Sequence, residues 1–326
     1  MSIRIVKNGI LDTIQDGGRY GYQHLGINPG GAMDQTAMKL VNALVGNKET
    51  EAVLEMHFPA TEIVFEKKVL FAIGGGDFGA TINHETVPLH QPIVVQAGTL
   101  LQFKRNITGA RVYLAIEGGF AVNEWLNSCS THLLVNAGGY YGRPLQKNDL
   151  LPFQKYHEPD IFSENTPFTT LPWRAKITDF YVSNQLHFIS GAEYDYLEEP
   201  VRNLLASTVF TITKQSNRMG YRLHSNPLVI TNRKELISSA VTKGTIQLLP
   251  DGQLIILMAD HQTTGGYPRI GHIISAEFSS LAQMRVGEKF TLKKTDLFTA
   301  EKLLLVQQRN LLQVQNACNF HLQSKY

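Results

Sequence analysis

Short apolar runs alternate with turn residues along most of the chain. The clearest runs are Val69–Ile73, Ile93–Val95, Val112–Ile116, Phe210–Thr213 and Leu254–Met258. Runs of this length that are rich in β-branched residues favour strands over helices. The hydrophobic pattern therefore predicts a mainly β protein.

One local pattern, a turn followed by alternating apolar residues, recurs in the chain. It is found at 97–103 (AGTLLQF), 147–153 (KNDLLPF) and 286–292 (VGEKFTL). Each copy predicts a tight turn that leads into a strand of a barrel or sandwich. Similarity this local is compatible with duplicated barrels but not with a solenoid, whose repeats are longer and regular.

Helical spacing of apolar residues is limited to a few segments. Asp34 is a suitable N-cap for a helix that ends at Gly46, because Asp accepts hydrogen bonds from the first turn and Gly tolerates the terminal conformation. Further helices are predicted at about 194–206 and at 296–317, where apolar residues recur three or four positions apart.

The best linker candidate lies near the middle of the chain, at 157–173. It contains three prolines and shows little hydrophobic periodicity. It predicts two domains, an N-terminal lobe over 1–160 and a C-terminal lobe over 170–326. Exchange of strands between the two lobes stays open.

Composition narrows the class of protein. The chain has 326 residues, 43% hydrophobic and 18% charged, with a formal net charge of +2. A balanced charge gives no indication of a nucleic-acid or membrane-surface partner. The two cysteines, Cys129 and Cys318, lack metal-binding or redox spacing. No apolar stretch approaches the ~18–20 residues of a membrane span, so we expect a soluble cytoplasmic protein.

The segment GGGDFG, at 74–79, matches the glycine pattern of dinucleotide-binding proteins. A dinucleotide site also requires a helix that begins at this loop and an acidic residue about 20 positions later. The residues that follow are typical of turns and strands, and no acidic residue has the required spacing. We therefore interpret the segment as a glycine-rich β-turn.

Cys129 precedes His132 by three positions, which leaves open a Cys–His nucleophile. Spacing alone is a weak signal, because such pairs are assembled in space. His84 and His90 have no metal-ligand spacing and are interpreted as ordinary surface or core histidines.

Glycines and hydrogen-bonding side chains are concentrated in four clusters: 13–34, 130–143, 216–223 and 259–269. Loops held by a rigid β scaffold often carry binding and catalytic residues. The alternative is that these polar groups only satisfy buried backbone at the ends of the barrels.

Taken together, the clusters resemble the carboxyltransferase A/B-subdomain family, also called the allophanate hydrolase subunit 2 or urea amidolyase-related family. Within it, the chain is most similar to the C subunits of 5-oxoprolinases, a group that includes KipA. The residues that carry the resemblance are Gln15–Arg19, Gly31–Asp34, Glu117–Gly119, Ser130-Thr131, Gly138-Gly139, Gly142-Arg143, Arg218–Leu223, Gly244, Gln247, Pro250–Gly252, Asp260 and Gln262–Pro268. They span most of the chain.

The chain departs from the family pattern in places. It has Asn127–Thr131 where relatives usually have Gly-Ser-Arg-Ser-Thr, His261 where they have Arg, and Ser239 where they have Glu. Two arginines and one carboxylate are therefore absent from expected positions.

The resemblance implies two cyclophilin-like β-barrel lobes, a few short helices and a C-terminal helix, with polar loops around a cleft. It implies the C subunit of an ATP-dependent 5-oxoprolinase, which hydrolyses 5-oxo-L-proline to L-glutamate. The implied partners are the A subunit, of lactam-utilisation type, and the B subunit, which is KipI-like. ATP would act together with these partners, and no tightly bound cofactor is expected. Alone, the chain could form a homodimer.

Two other functions stay open. One is a carboxyltransferase component that acts on a urea-like amide with a biotin carrier. The other is a non-enzymatic regulator that binds a kinase inhibitor.

The resemblance and the residue types together predict site residues. We assign Asp16 and Asp260 to catalysis, because a carboxylate can take a proton or position a donor. No metal ligands are predicted. The predicted substrate-binding residues are Gln15, Arg19, Ser130, Thr131, Arg218, Arg222, Gln247, Gln262, Thr263, Thr264 and Tyr267.

Overall fold

A computed structural model describes residues 1–160, 166–181, 184–230 and 236–323. The chain divides into two compact units. The first comprises Met1–Arg19, Asp34–Thr178 and Arg309–Tyr326, and the second comprises Tyr20–Met33 and Asp179–Gln308. Residues 20–33 thus belong to the second unit although they precede most of the first in sequence.

The first unit is built from strands that form two sheets. The strands are β1 (Ser2–Lys7), β2 (Thr13–Gln15), β3 (Val53–Met56), β4 (Glu62–Phe65), β5 (Val69–Asp77), β6 (Ala80–Ile82), β7 (Glu85–Thr86), β8 (Pro92–Val95), β9 (Leu100–Phe103), β10 (Thr108–Ile116), β11 (Leu150–Pro152) and β12 (Phe168–Thr170). Within the described ranges, both sheets have six strands, in the orders β11-β1-β4-β9-β6-β7 and β12-β8-β5-β10-β3-β2.

The predicted linker at 157–173 is partly structured. Residues 161–165 lie outside the described residues, but β12 lies within the predicted linker and pairs antiparallel with β8. Its Phe-Thr-Thr sequence suits a strand, because β-branched and aromatic residues fit a pleated surface. The first unit extends beyond this strand to Thr178.

The run at 69–73 is buried throughout, unlike β1, whose residues alternate between buried and half-buried. Helix α1 (Gln35–Leu44) packs against β5 and β10, while the other side of β5 contributes to the core. A strand covered on both faces has a continuous apolar sequence. This packing explains why the sequence shows no alternation here.

Helix α1 begins where the sequence predicts. The Asp34 side chain accepts a hydrogen bond from the backbone N–H of Ala37 at 2.9 Å, which is the geometry of an N-cap. The backbone N–H of Asp34 donates to the Tyr113 hydroxyl at 2.8 Å. The cap therefore both starts the helix and fixes it to β10.

The glycine-rich segment at 74–79 does not lead into a helix. Its first residues continue β5, and the turn follows at Asp77, whose carboxylate accepts from the N–H of Gly79 at 2.8 Å. A Cβ on Gly76 would lie 2.8 Å from the carbonyl oxygen of Thr108. Glycine is required here because the neighbouring strand approaches closely.

The second unit contains a closed barrel. Its strands are β13 (Gln185–Ser190), β14 (Val209–Ile212), β15 (Gly220–His224), β16 (Ser239–Ala240), β17 (Thr245–Leu248), β18 (Leu254–Leu257), β19 (Thr264–Gly265), β20 (Arg269–Ile273) and β21 (Lys289–Lys294). Among the described residues, the barrel order is β13-β20-β17-β18-β15-β14-β21, and β16 pairs separately with β19.

Short helices accompany both units. The helix predicted at 194–206 is a 3-10 turn at Tyr194–Tyr196 followed by α2 (Glu199–Ser207), which begins just before Pro200. Proline favours the first helical turn because its missing N–H has no intrahelical partner there. The remaining elements are 3-10 turns at Gln23–Leu25 and Ser275–Glu277 and helix α3 (Phe278–Gln283).

The C-terminal helix is α4 (Leu297–Gln323), which is 27 residues long and extends past the predicted end at 317. No helix in the described parts of the chain combines the length and apolarity needed to cross a membrane. The mainly β class with few helices and a C-terminal helix is confirmed. The cyclophilin-like assignment stays a prediction.

Candidate functional site

In the first unit, two of the predicted polar clusters meet at the carboxylate of Asp16. Its Oδ1 accepts hydrogen bonds from the hydroxyls of Ser128 (2.7 Å) and Ser130 and from the N–H of Gly18 (2.8 Å). Its Oδ2 accepts from the N–H of Cys129 at 2.6 Å. Asp16 is 8% exposed. The carboxylate is therefore buried among neutral donors and holds the loop at 128–130 in place.

Arg19 holds the same loop from the other side. Its guanidinium donates to the carbonyl oxygen of Ser130 and lies over the ring of Trp125, 4.8 Å from the centroid. The hydroxyl of Thr131 donates to the carbonyl of Ile14 at 2.9 Å. Arg19 is almost fully buried, and the ring face and the carbonyl replace part of the hydration that its charge has lost.

Gln15 carries a buried acceptor. Its amide nitrogen donates to the hydroxyl of Thr13 at 2.9 Å, but its Oε1 has no hydrogen-bond partner among the described residues. Buried polar atoms in native proteins usually have a partner, which is often an ordered water or a ligand. Gln15 is therefore well suited to accept an N–H.

The titration of Cys129 argues against a Cys–His nucleophile. Burial, reinforced by the charge of Asp16, raises the pKa of the Cys129 thiol to about 12. A thiol with this pKa is protonated at neutral pH, whereas the thiolate is the nucleophile. The ring of His132 packs edge-on against Trp125 at 5.9 Å.

In the second unit, the other two clusters meet in an ion pair. Arg218 donates to both oxygens of Asp260, from Nε at 2.8 Å and from Nη2 at 3.0 Å. Nη2 also donates to the carbonyl of Gly31 at 2.7 Å, and the Asn28 amide donates to the carbonyl of Asp260 at 3.0 Å. This bidentate pair therefore connects segment 20–33 to the loop at 259–269.

The loop at 259–269 presents some side chains and anchors others. His261 is buried, and its Nδ1–H donates to the carbonyl of Gln262 at 2.6 Å. Burial lowers the pKa of His261, so this imidazole favours the neutral form. The loop backbone pairs with the preceding segment through β16 and β19. The side chains of Gln262, Thr264 and Tyr267 are exposed, and Thr263 is half-buried.

Gln247 and Arg222 differ in their surroundings. Gln247 is 1% exposed, and its Nε2 has no hydrogen-bond partner in the described part of the chain. This atom packs against Gly265, where an added Cβ would lie 2.5 Å from it. Arg222 instead projects outward from β15, between the buried residues Tyr221 and Leu223.

The structure thus groups the predicted residues within each unit. Asp16, Arg19, Ser130 and Thr131 are held together in the first, and Arg218 and Asp260 in the second. Convergence of the two groups on one cleft, and the catalytic roles of Asp16 and Asp260, stay predictions. No group of three or more His, Cys, Asp or Glu side chains in the described ranges is placed to hold a metal ion.

Sequence reasoning missed Ser128 and Asn28, which contact the two aspartates. Ser128 could have been found because it lies two positions before Ser130, so both side chains can reach the same carboxylate. The sequence signal for Asn28 is weaker, because it consists only of the position of this residue just before the Pro-Gly-Gly turn. Its Oδ1 is buried without a hydrogen-bond partner among the described residues.

Comparison with known proteins identifies the family. Residues 25–294 match the family described as carboxyltransferase domain, subdomain A and B. The chain is 35% identical over 307 residues to the C subunit of 5-oxoprolinase from Escherichia coli (strain K12), covering 94% of this chain and 96% of that protein. It is 34% identical over 303 residues to urea amidolyase of Saccharomyces cerevisiae, covering 88% of this chain but 16% of that protein.

The fold also matches a solved structure. The crystal structure of the K. lactis urea amidolyase superposes with a TM-score of 0.82 at 24% identity, over 96% of this chain and 20% of that chain. At this level of sequence identity, the similarity establishes a shared fold and nothing further. The family match covers most of the sequence, and the chain belongs to the carboxyltransferase domain, subdomain A and B, family.

Proposed function

We propose that this chain is the C subunit of an ATP-dependent 5-oxoprolinase, which hydrolyses 5-oxo-L-proline to L-glutamate together with its A and B subunits. The observation that carries the proposal is the similarity to the C subunit of E. coli 5-oxoprolinase, which covers 94% of this chain and 96% of that protein. By contrast, the region that matches yeast urea amidolyase makes up 16% of that protein, so this similarity concerns one part of a longer chain.

The reaction defines what a site must supply. A five-membered lactam is a stable amide, so water attacks its carbonyl carbon slowly. Transfer of a phosphoryl group from ATP to the amide oxygen releases ADP and makes that carbon a better electrophile. Water then adds to the carbon and the ring C–N bond breaks, which leaves the amine and an acyl phosphate. A second water hydrolyses the acyl phosphate to the carboxylate and inorganic phosphate. Cations and oriented donors stabilise the charge that develops on phosphoryl and amide oxygens.

Each unit offers a group that suits an amide. In the first unit, the unsatisfied Oε1 of Gln15 suits a substrate N–H. In the second, the unsatisfied Nε2 of Gln247 suits a carbonyl oxygen. The exposed side chains of Gln262, Thr264 and Tyr267 and the half-buried Thr263 are available for further contacts, and exposed Arg222 suits a phosphate or carboxylate.

The aspartates are better suited to positioning than to free proton transfer. The hydroxyl and N–H donors of the Ser128–Ser130 loop hold Asp16, and Arg218 holds Asp260. Both arrangements fix the orientation of the carboxylate. In this proposal Asp16 shapes the loop at 128–130, and Asp260 orders the loop that presents Gln262 and Thr263.

A second candidate is a carboxyltransferase component that acts on a urea-like amide with a biotin carrier. It is favoured by the 34% identity to yeast urea amidolyase over 88% of this chain. Other proteins would have to supply the biotin carrier and the biotin carboxylase.

Co-expression with candidate A and B subunits distinguishes these functions. We expect ADP release and glutamate formation that depend on 5-oxoproline when all three proteins are present, and no hydrolysis by this chain alone. Omission of each protein in turn is the control. Robust hydrolysis by the single chain would refute the dependence on partners. Carboxylation of urea with a biotinylated carrier, without any 5-oxoproline turnover, would establish the second candidate.

A further inference from the structure

Helix α4 presents an apolar stripe to solvent. Phe298, Leu305 and Leu312 recur every seven positions, and their exposed fractions are 77%, 65% and 56%. Residues seven apart lie nearly above one another on a helix, because two turns take about 7.2 residues. On the opposite side of α4, Cys318 is buried and the amide of Gln307 donates to the carbonyl of Ala276 at 2.7 Å. The stripe is therefore a separate outward face of the helix.

Two of the charges next to the stripe are placed symmetrically about Leu305, and the third, Lys302, has the uncharged Gln308 as its symmetric counterpart. Glu301 lies four positions before Leu305 and Arg309 four positions after it, while Phe298 and Leu312 lie seven before and seven after. Neither Glu301 nor Arg309 forms an ion pair with another described residue. The three stripe residues, Glu301 and Arg309 project from the same side of the helix, since positions three, four and seven apart share a face.

This symmetry makes the face complementary to itself. When two such helices cross antiparallel with Leu305 against Leu305, Phe298 of each contacts Leu312 of the other. The same register brings Glu301 of each copy to Arg309 of the other, so both charges gain a partner. A register centred on Arg309 would instead place two guanidinium groups together, which like-charge repulsion disfavours.

We propose that α4 is a homodimerisation surface, on which a second copy of this chain packs its own α4 antiparallel about Leu305. The interface is isologous, so each residue contact occurs twice. The paired segment from Phe298 to Leu312 is about 21 Å long, from the rise of an α-helix. A contact limited to one helix from each copy is small, so the dimer should be weak and dependent on concentration.

Sedimentation velocity of the purified chain from about 1 to 100 μM provides the first test. We expect a monomer–dimer equilibrium in the parent chain and a monomer throughout this range for Leu305→Glu. Ala317→Glu is the matched control, because it adds the same charged side chain to an exposed position on another side of α4. It should dimerise like the parent. Circular dichroism verifies that each variant is folded.

A charge exchange tests the register. Glu301→Arg and Arg309→Glu should each raise the dimer dissociation constant at least tenfold, because each places like charges together. An equimolar mixture of the two variants should form a heterodimer with near-parental affinity, because each variant then faces its opposite charge. Loss of monomer stability cannot produce that recovery.

The proposal is overturned if the parent chain is monomeric at 100 μM, or if Leu305→Glu and Ala317→Glu dimerise equally. It is also overturned if the mixture fails to recover affinity after both single variants have lost it. Loss of binding to the KipI-like protein in Leu305→Glu, with no parental dimer, would assign the stripe to a partner protein instead.

Discussion

Asp16 in the first unit and Asp260 in the second are both loop carboxylates near glycine-rich turns, yet the protein satisfies their charges in opposite ways. Asp16 is held by hydroxyl and backbone N–H donors from the loop at 128–130 and from Gly18. Asp260 is held by the guanidinium of Arg218. The first arrangement holds the carboxylate with neutral donors, while the second joins two chain segments through an ion pair.

Asp12, His90 and Glu193 show the same contrast, although the first unit also contains ion pairs such as Arg143–Asp149 at 2.7 Å. The first unit buries Asp12 and His90 with backbone N–H groups as their partners. The second unit pairs Glu193 with Arg269 at 2.7 Å, and these hydrogen bonds lower the pKa of Glu193. Asp12 and His90 should therefore make the stability of the first unit depend on pH between 4 and 7, and loss of either Glu193 or Arg269 should destabilise the second unit.

Among single substitutions at constant pH, the largest loss of unfolding free energy is expected from Asp260→Asn. It leaves the nearly buried Arg218 without its counter-charge, and breaking a buried pair costs roughly 3–5 kcal/mol. The exposed fraction of the Asp260 side chain, 18%, places the expected loss near the lower end, at ~3 kcal/mol. Hydrogen exchange measured on peptides from β15 and β18 should accelerate. The control is the double variant Arg218→Met/Asp260→Leu, which should lose less stability than Asp260→Asn. Unchanged exchange in Asp260→Asn would contradict the role of the ion pair.

The free energy of unfolding of the first unit is also expected to depend on pH. Burial raises the pKa of Asp12 from 3.8 to about 7, so the folded chain keeps a proton that the unfolded chain releases. This group therefore lowers stability as pH rises from about 4 to 7, by at most ~4 kcal/mol at 1.36 kcal/mol per pKa unit. Burial lowers the pKa of His90 from 6.5 to about 4, so this group lowers stability as pH falls through that window.

Between pH 4 and 6.5, the effects of Asp12 and His90 on stability have opposite signs. Single variants should separate the two effects. Relative to the parent, Asp12→Asn should gain stability as pH rises, and His90→Asn should gain stability as pH falls. Asn suits position 90 because it tolerates the left-handed backbone, where φ is 60°. Both tryptophans, Trp125 and Trp173, lie in the first unit, so urea unfolding followed by tryptophan fluorescence reports on it. Parallel stability–pH curves for all three chains would contradict both assignments.

A smaller loss is expected from Asp16→Asn. The amide cannot accept all the hydrogen bonds that the carboxylate accepts, and hydrogen bonds to a charged group contribute about 1.5–3 kcal/mol. We expect a loss of ~2 kcal/mol in the tryptophan-monitored transition, with unchanged hydrogen exchange in the second-unit barrel. Ser128→Ala removes one donor to the same carboxylate and should cost about 1 kcal/mol. If Ser128→Ala costs as much as Asp16→Asn, the carboxylate does not organise the loop.

The smallest effect on stability is expected from Gln247→Met. It replaces an unsatisfied buried amide with an apolar side chain of similar size, and such changes are close to neutral, within ~1 kcal/mol. Activity of the assembled complex should nevertheless fall at least tenfold if Gln247 contacts the substrate. In the first unit, Gln15→Met should cost more stability, because it also removes the hydrogen bond to Thr13. A large stability loss with unchanged activity per folded molecule would remove Gln247 from the site.

Features that depend on residues close together in the chain were predictable from the sequence. The strands at 69–73, 93–95, 112–116 and 254–257 are present, because their composition favours extended backbone that can be buried. The start of α1 was also predictable, since the Asp34 cap acts on a residue three positions away. The family resemblance, carried by short glycine-rich motifs, was confirmed by the comparisons.

Contacts between distant residues depend on how the folded chain packs. Asp16 and Ser130 are 114 positions apart, and Arg218 and Asp260 are 42 apart, so no local preference could pair them. The predicted linker becomes partly a strand because β8 offers it an open edge, and Arg222 faces outward because the barrel fixes the alternation of β15. Hydrophobic periodicity tells which residues are buried, whereas the charge partner of each residue depends on how distant segments pack together.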